Sequence, residues 1–226
     1  MLTSNINYTT RNNETFAGRL SQPNGDVQLP GIVLITAIFG MDDEMKQLAD
    51  AYAAEGFIVS VPDYFWRQLA GPTADRDVAF ARMNDYEPVQ GLMDVEDVIN
   101  DLRAHPRCNG KIAVLGFCFG GWIAHVSAAR FGVNAAAAYH GTRIGQYLTE
   151  MPPIDCPVSY HFGEDDPIVP MEEVQQIREA YQEHNQAEIT AYPGATHNFA
   201  MPQKPGYHRE VAETSRQAVL KCFKSM

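Results

Sequence analysis

The segment 111-KIAVLGFCFGGWIAH-125 passes from a short apolar run through a glycine-rich turn into a second apolar run, with Cys118 at the turn. The first run has the length and composition of a buried strand, and the second continues as a helical pattern. Gly116, Cys118 and Gly120 form the pattern G-x-C-x-G, and Gly121 follows directly. A strand, a sharp turn that carries a nucleophile and a helix make up a nucleophile elbow, here with cysteine where serine is usual.

The chemistry of this turn depends on its backbone. A nucleophile at a strained turn needs neighbours without side chains, because Cβ atoms there would collide with the strand and the helix. A helix that begins at the thiol brings free N–H groups and its positive dipole end to the sulfur, and both favour the thiolate. The Phe119 N–H is then one donor of an oxyanion hole. The alternative interpretation is an inert buried cysteine in a glycine-rich turn.

Short apolar runs alternate with helical patterns along most of the chain. This alternation predicts an α/β fold with a mostly parallel central sheet of about eight strands and helices on both faces. Runs such as 32–35, apolar on consecutive residues, suit strands that are covered on both sides. The predicted strands are 5–10, 15–20, 31–37, 56–63, 111–116, 134–141, 157–163 and 187–194. The predicted helices are 42–54, 89–105, 119–131, 171–184 and 207–224.

Composition narrows the class of protein. With 226 residues, 45% of them hydrophobic, and no internal repeat or break in composition, the chain is expected to form a single domain over 1–226. A formal net charge of −11 argues against nucleic acid and anionic membrane as partners. The amino terminus is polar, and no apolar run approaches the roughly 18 residues of a membrane span, so we expect a cytoplasmic protein.

The cysteines have to be judged as individual thiols. They are too few and too widely spaced for a disulfide framework, and no pair has the spacing of zinc ligands. They are Cys108, Cys118, Cys156 and Cys222.

Two residues far along the chain supply partners for the thiol. Asp166, in HFGEDDPIVP, follows the predicted strand 157–163, and His197, in YPGATHNF, follows the strand 187–194. Nucleophile, acid and base in this order, each after a strand, is the order of an α/β-hydrolase. His197 would accept the Cys118 proton or pair with the thiolate, and Asp166 would orient the imidazole. The implied reaction is acyl transfer through a thioester, for which we expect neither a cofactor nor a metal.

Other residues compete for these roles. Glu164 and Asp165 are rivals of Asp166, because the sequence alone does not say which carboxylate points inward. His140 ends a predicted strand, and both pocket lining and a structural role remain open for it. Two histidines inside predicted elements are expected to be packed or hydrogen bonded, namely His125 and His161.

The ordered set of segments resembles the dienelactone hydrolase family, cysteine α/β-hydrolases that open lactone rings in the breakdown of chloroaromatic compounds. The resemblance covers nearly the whole chain, and its matching segments are IVLITAIFG, VPDYFWRQ, NGKIAVLGFCFGGW, HFGEDDPIVP and YPGATHNF. It implies a triad of Cys118, Asp166 and His197, oxyanion donors at the Ile38 and Phe119 N–H groups, and a substrate carboxylate bound by Arg76. For Arg76 the alternative is a solvated helix residue paired with Asp75 or Asp77.

The chain departs from the family pattern at two positions. Relatives that open dienelactone carry a glutamate where this chain has Ala37, and the resemblance implies that this glutamate receives the thiol proton when substrate binds. A second arginine of the family is replaced by Met201. Both changes predict a less acidic, more apolar substrate, and whether Asp42, Asp43 or Glu44 replaces the glutamate is left open. The predicted wall residues, for which core packing is the alternative, are Phe39, Tyr64, Phe65, Trp66, Tyr139 and Met201.

The leading hypothesis is therefore a hydrolase of carboxylic esters or lactones that uses a cysteine thioester and acts as a monomer or homodimer on a small-molecule substrate. A strict dienelactone hydrolase that tolerates both substitutions is the alternative within enzymes. A non-catalytic binder of small molecules or a thiol redox sensor on the same fold is the alternative from another class. A sensor generally needs a resolving cysteine, and none lies near Cys118 in the sequence.

Overall fold

The computed structural model describes residues 1–150 and 154–226. The chain divides into two compact units, Met1–Ala113 and Val114–Met226. The single domain expected over 1–226 stays a prediction.

The amino-terminal unit begins with an antiparallel hairpin. β1 (Leu2–Thr9) pairs with β2 (Thr15–Gln22), which pairs antiparallel with β4 (Ile58–Pro62). β3 (Leu29–Ile35) lies parallel to β4, with Gly31 opposite Ile58. The helices of this unit are α1 (Asp43–Ala54), α2 (Trp66–Leu69), α3 (Arg76–Asn84) and α4 (Pro88–Ala104).

The carboxyl-terminal unit starts within β5 (Cys108–Phe117) and continues through β6 (Ala135–Tyr139), β7 (Val158–Gly163) and β8 (Ala187–Tyr192). β7 lies between β6 and β8 and is parallel to both. Between these strands lie α5 (Gly120–Arg130), a 3-10 helix (Ile144–Glu150) and α6 (Met171–Ala180), and α7 (Arg209–Lys224) follows β8.

The sheet has eight strands in the order β1-β2-β4-β3-β5-β6-β7-β8. Strand β2 pairs antiparallel with β1 and with β4. The pairs β3–β4, β6–β7 and β7–β8 are parallel. The mostly parallel sheet of about eight strands expected from the sequence is confirmed. Ile32, Val33, Leu34 and Ile35 are each 0% exposed, as expected for consecutive apolar residues in a strand covered on both faces.

Every predicted strand and helix is present, and the differences lie at their ends, in one insert and in the 3-10 helix Ile144–Glu150, which was not predicted. This insert is the segment 66–87, which lies between the predicted strand 56–63 and the predicted helix 89–105 and contains the two short helices α2 and α3. Helix α3 shows no apolar stripe, because its two buried residues are Ala79 and the arginine Arg82. The one sequence signal for this helix is its N-cap residue, Asp75. The Asp75 side chain accepts hydrogen bonds from the N–H groups of Asp77 and Val78. Among the described residues, no helix combines the length and the apolar character that a membrane crossing requires.

Candidate active site

The elbow forms as predicted between β5 and α5, and Cys118 lies at its apex with a φ of 50°. This left-handed conformation is costly for a residue with a side chain. Two glycines allow the tight turn: a Cβ on Gly116 would lie 2.1 Å from the Gly120 carbonyl oxygen, and one on Gly121 would lie 2.3 Å from Gly141 Cα. The Cys118 N–H donates to the Tyr139 carbonyl oxygen at 3.1 Å, which ties the apex to the end of β6.

Asp166 and His197 meet in the same unit as the thiol. His197 Nδ1 lies 2.7 Å from Asp166 Oδ2, and the Asp166 side chain is fully buried. The other carboxylate oxygen accepts the N–H groups of Ile168 at 2.8 Å and Val169 at 3.2 Å. The carboxylate is therefore held by its own loop, and it fixes His197 with Nε2 directed away from Asp166.

Of the three neighbouring acidic residues in GEDD, Asp166 is the one that reaches the imidazole. Glu164 and Asp165 are exposed, whereas Asp166 is 7% exposed as a residue. Their backbone N–H groups help to shape the turn by donating to the carbonyl oxygens of Tyr192 and Ala195, both at 3.0 Å. The alternative acids left open by the sequence thus lie on the outside of this loop.

The thiol and the imidazole are close enough to interact. Cys118 Sγ and a ring nitrogen of His197 lie within 4.8 Å of each other. Burial alone lowers the pKa of His197, but the hydrogen bond to Asp166 and the interaction with Cys118 outweigh it and raise the pKa to about 9. His197 is then an imidazolium at neutral pH. Cys118 as a residue is half-buried, unlike the buried Cys108 and Cys156.

His140 is the third polar side chain of this cluster. It follows β6 with a φ of 41°, is 1% exposed, and its ring centroid lies 4.5 Å from that of His197. Burial and the neighbouring His197 hold the pKa of His140 well below its usual range, so the ring is neutral. Neither of its ring nitrogens has a hydrogen-bond partner within the described parts of the chain. The structure therefore places His140 against the catalytic candidates.

His125 and His161 are packed, as the sequence indicated. His125 Nδ1 lies 3.0 Å from the Tyr181 hydroxyl, and its Nε2 lies 3.1 Å from the Tyr147 carbonyl oxygen. His161 contacts the Ser159 hydroxyl at 2.8 Å through Nε2, and burial lowers the pKa of His161 to about 3. Both rings therefore have structural hydrogen-bond partners, as expected for packed histidines.

Two of the other thiols differ from Cys118 in their surroundings. Burial, with Asp155 nearby, raises the pKa of Cys156 to about 11. Burial, with Cys156 and Glu188 nearby, raises the pKa of Cys222 to about 12. These two thiols are expected to react slowly with electrophiles, since the thiolate is the reactive form.

One predicted oxyanion donor lies beside the thiol and the other belongs to the amino-terminal unit. Phe119 follows Cys118 directly, just before α5, and is fully buried. Ile38 lies after β3, and its carbonyl oxygen accepts two hydrogen bonds from the Arg82 guanidinium, at 2.9 Å from Nε and 2.6 Å from Nη2. Arg82 also donates to the Gly71 carbonyl oxygen at 2.7 Å. It therefore holds the peptide that follows the proposed donor.

Sequence reasoning missed Arg82, because a buried arginine inside an unrecognised helix leaves no apolar pattern. It also missed Arg143, whose guanidinium carbon lies 4.8 Å from the centroid of the Phe119 ring. Arg143 has a φ of 63°, and no sequence pattern predicted this left-handed backbone conformation.

Arg76 is the first residue of α3 and is exposed. Its guanidinium carbon lies 5.5 Å from the centroid of the Phe80 ring. Asp75, one of the proposed surface partners, uses its carboxylate to cap α3 instead. The role of Arg76 toward a substrate stays a prediction.

The aromatic residues after β4 make extensive packing contacts. The Tyr64 hydroxyl donates to the Thr36 carbonyl oxygen at 2.9 Å. Phe65 is fully buried and lies under the Arg82 guanidinium at 4.7 Å. Trp66 is half-buried and stacks on Phe16 at 5.1 Å. These contacts favour the packing alternative for Phe65, and the wall role of all three stays a prediction.

The remaining predicted wall residues differ in exposure. Tyr139 is 2% exposed and stacks on Phe117 with ring centroids 4.9 Å apart, and Met201 is also 2% exposed. Phe39 is half-buried. Met201 lies in the turn after His197, where its N–H donates to the Asn198 carbonyl oxygen at 2.9 Å.

The three carboxylates near the start of α1 have different surroundings. Asp42 caps the helix by accepting the Met45 N–H at 3.0 Å. Asp43 is exposed and pairs with Lys46 at 2.9 Å. Glu44 is 3% exposed, so it is the buried member of the three.

Comparison with known proteins places this geometry in a family. The sequence profile of the dienelactone hydrolase family matches residues 16–226. The chain is 28% identical over 223 residues to a carboxymethylenebutenolidase of Pseudomonas putida, covering 96% of this chain and 94% of that protein. A structure from Klebsiella pneumoniae assigned as a dienelactone hydrolase is 25% identical, with a TM-score of 0.89 and 100% of both chains covered.

A second structure shares the fold. It is a dienelactone hydrolase-like promiscuous phosphotriesterase from metagenomic libraries, 21% identical, with a TM-score of 0.86 over 99% of this chain and 98% of that one. The fold and the elbow define an α/β-hydrolase. The chain belongs to the dienelactone hydrolase family and is a hydrolase acting on ester or lactone bonds.

Proposed function

We propose that this hydrolase cleaves carboxylic esters or lactones through a thioester on Cys118, with His197 as general acid and base and Asp166 as the residue that orients it. The observation that carries the proposal is the contact of 2.7 Å between His197 Nδ1 and Asp166 Oδ2, with the Cys118 sulfur within 4.8 Å of a ring nitrogen of His197. A carboxylate, an imidazole and a nucleophile in series are the working parts of a triad.

The first half of the reaction forms the thioester. The Cys118 thiolate attacks the carbonyl carbon, and the Phe119 N–H stabilises the oxyanion, with the Ile38 N–H as the second donor implied by the family resemblance. Collapse of this intermediate breaks the bond to the leaving alkoxide, which takes the proton from His197 Nε2. The products of this step are an alcohol, the acylated sulfur and a neutral imidazole.

The second half consumes water. Acylation removes the negative charge from the sulfur, and with it one of the interactions that raise the pKa of His197. The neutral imidazole accepts a proton from water as the hydroxyl oxygen attacks the thioester carbonyl. Expulsion of the thiolate then releases the carboxylic acid and restores the ion pair. Ester and water are converted into acid and alcohol with no other reactant.

The substrate is proposed to be less acidic than dienelactone. Ala37 cannot accept a proton, and Met201 cannot pair with a carboxylate as an arginine does. The loss of one of two charge-assisted contacts weakens carboxylate recognition by about 1.5 to 3 kcal/mol, roughly tenfold to a hundredfold. The net charge of −11 further disfavours anionic substrates at long range.

A substrate panel tests both parts of the proposal. Steady-state kinetics would compare a neutral aryl ester with cis- and trans-dienelactone, using the wild-type protein, Cys118→Ala and the control Cys222→Ser. We expect the neutral ester to have the higher kcat/KM and Cys118→Ala to lose turnover of all three substrates. A preference for either dienelactone would favour the strict dienelactone hydrolase, and full activity in Cys118→Ala would exclude the thiol as nucleophile.

A further inference from the structure

The cluster around Cys118 contains a set of metal donors that the proposed hydrolysis does not use as such. Cys118 Sγ and one ring nitrogen each of His140 and His197 all lie within 4.8 Å of one another. The three residues follow different strands, so the fold brings them together from distant parts of the carboxyl-terminal unit. A thiolate with two imidazoles is a donor set that zinc and other borderline or soft divalent metals prefer.

The orientation of His197 suits metal binding. Its Nδ1 contacts Asp166, and its Nε2 has no hydrogen bond of ordinary geometry within the described parts of the chain. Histidine ligands commonly use one nitrogen for the metal and give the other N–H to a carboxylate, which fixes the tautomer and the ring orientation. Asp166 already provides that outer contact, and its carboxylate is itself held by two backbone N–H groups.

His140 supplies the third donor, beside Cys118 and His197. Within the described residues it is buried to 1% exposure with neither ring nitrogen hydrogen bonded, although buried polar groups are normally paired. Its ring lies 4.5 Å from the His197 ring, between centroids. No step of ester hydrolysis proposed above requires His140, so its polar nitrogens are unexplained by that reaction.

The distances between the three donor atoms are close to those found around a bound metal ion. Zinc–sulfur bonds of about 2.3 Å and zinc–nitrogen bonds of about 2.0 to 2.1 Å place tetrahedral donors roughly 3.3 to 3.6 Å apart. Because the three donor atoms lie within 4.8 Å of one another, each pair needs to approach by no more than about 1.5 Å. Rotations about the χ angles of cysteine and histidine supply movements of that size.

The geometry points to a three-ligand site, formed by Cys118, His140 and His197, that takes a borderline or soft divalent transition metal and leaves a fourth position to water. The metal forms one bond to the thiolate and one to a nitrogen of each imidazole. The proton held between Cys118 and His197 leaves to solvent as the metal binds, with no change in oxidation state. Because binding occupies the thiolate and His197 Nε2, it excludes hydrolysis, and the site stands whether or not the thiol turns over esters.

Zinc binding to the full chain tests the site. Zn²⁺ would be titrated against a chromogenic chelator, with reduced, metal-stripped wild type, His140→Phe, Cys118→Ser and the control His184→Gln. Loss of even an outer-shell partner costs roughly 10- to 100-fold in metal affinity, so His140→Phe should weaken binding by at least about tenfold. The control should bind one equivalent as the wild type does, and equal affinity in His140→Phe and wild type would overturn the proposal.

Two further readouts keep the test decisive if His140→Phe does not fold. His140→Gln is a second variant without an imidazole, and its melting temperature without metal reports whether it is folded. In the wild type, Zn²⁺ should protect Cys118 from iodoacetamide, and Co²⁺ should produce a thiolate charge-transfer band that Cys118→Ser lacks. Cobalt bound without that band, or zinc bound without protection of Cys118, would contradict the site even with no His140 variant available.

Discussion

At the scale of single residues, the proposed chemistry depends on whether Cys118 or His197 holds one proton. The backbone of Cys118 is in the left-handed region with φ at 50°, a cost that the rest of the elbow has to offset. Asp166 and Cys118 together raise the pKa of His197 to about 9 despite its burial. A raised pKa keeps the imidazole protonated through neutral pH, and that positive charge in turn stabilises a thiolate.

The pH dependence of alkylation tests this ion pair. At pH 7 and without substrate, iodoacetamide should modify Cys118 faster in the wild type than in His197→Gln, because the pKa of His197 is raised to about 9 and an imidazolium beside the sulfur favours the reactive thiolate. The difference between the two rates should shrink as the pH approaches 9 and His197 loses its proton. The rates would be measured by peptide mass spectrometry, which separates Cys118 from the other cysteines.

The same peptide mass spectrometry provides an internal control. Cys156 and Cys222, whose thiols have pKa values raised to about 11 and about 12, should remain largely unmodified over this range. If the rate at Cys118 in the wild type equalled that in His197→Gln throughout this range, the proposed ion pair would be wrong.

At the scale of elements, the site depends on loops whose geometry is set by buried polar contacts. Arg82 lies in α3 with 2% exposure and donates to the Ile38 and Gly71 carbonyl oxygens. It thereby connects a helix of the insert with the segment that carries the proposed second oxyanion donor. A lysine has one ammonium group and cannot reproduce this planar set of donors.

Arg82→Lys tests whether this positioning matters for catalysis. We expect kcat to fall by about tenfold to a hundredfold with little change in KM, less than the roughly 100- to 1,000-fold cost of losing an oxyanion donor. Arg103→Lys, a surface change at a residue that donates to Asn100, is the matched control. If circular dichroism shows that both proteins are folded and kcat is equal in Arg82→Lys and wild type, Arg82 does not position the proposed oxyanion donor for catalysis.

Sequence patterns predicted the elements with apolar periodicity and missed those without it. The strand at 111–116 and the helix at 119–131 appear at Cys108–Phe117 and Gly120–Arg130 because glycine and apolar runs mark their junction. Helix α3 was not predicted, because it buries an arginine and has no apolar stripe. The placement of Asp166 and His197 near each other could be predicted because each follows a strand, whereas the contact of Asp166, and not Asp165, with the imidazole depends on a loop conformation that the sequence does not encode locally.

His140 illustrates a further limit of sequence reasoning. Its position after a strand suggested either a pocket or a structural role, and the sequence could not decide between them. Its unpartnered ring nitrogens and its contact with His197 are tertiary features, since they depend on the placement of three separate loops. Likewise, the packing of Phe65 under Arg82 could not be foreseen without α3.

At the scale of the whole molecule, the two compact units share one continuous strand. β5 runs from Cys108 to Phe117 through the boundary between Ala113 and Val114, and the family match extends over both units. A strand that belongs to both units favours cooperative unfolding, as for one domain.

The two tryptophans allow a direct test of this prediction, because Trp66 lies in the first unit and Trp122 in the second. In Trp122→Phe the fluorescence reports the first unit, and in Trp66→Phe it reports the second. In each variant we expect the urea midpoint from fluorescence to coincide with that from far-ultraviolet circular dichroism. Separate midpoints within one variant would show that the units unfold independently.

The central claim, a thioester on Cys118, is tested most directly by trapping the acylated protein. His197→Ala, mixed with p-nitrophenyl acetate and quenched in acid, should accumulate one acetyl group per chain, because deacylation lacks its base. Peptide mapping should place that group on Cys118, and neutral hydroxylamine should remove it. Turnover by the wild type with no acetyl group trapped at Cys118, or with the group on another residue, would contradict the account.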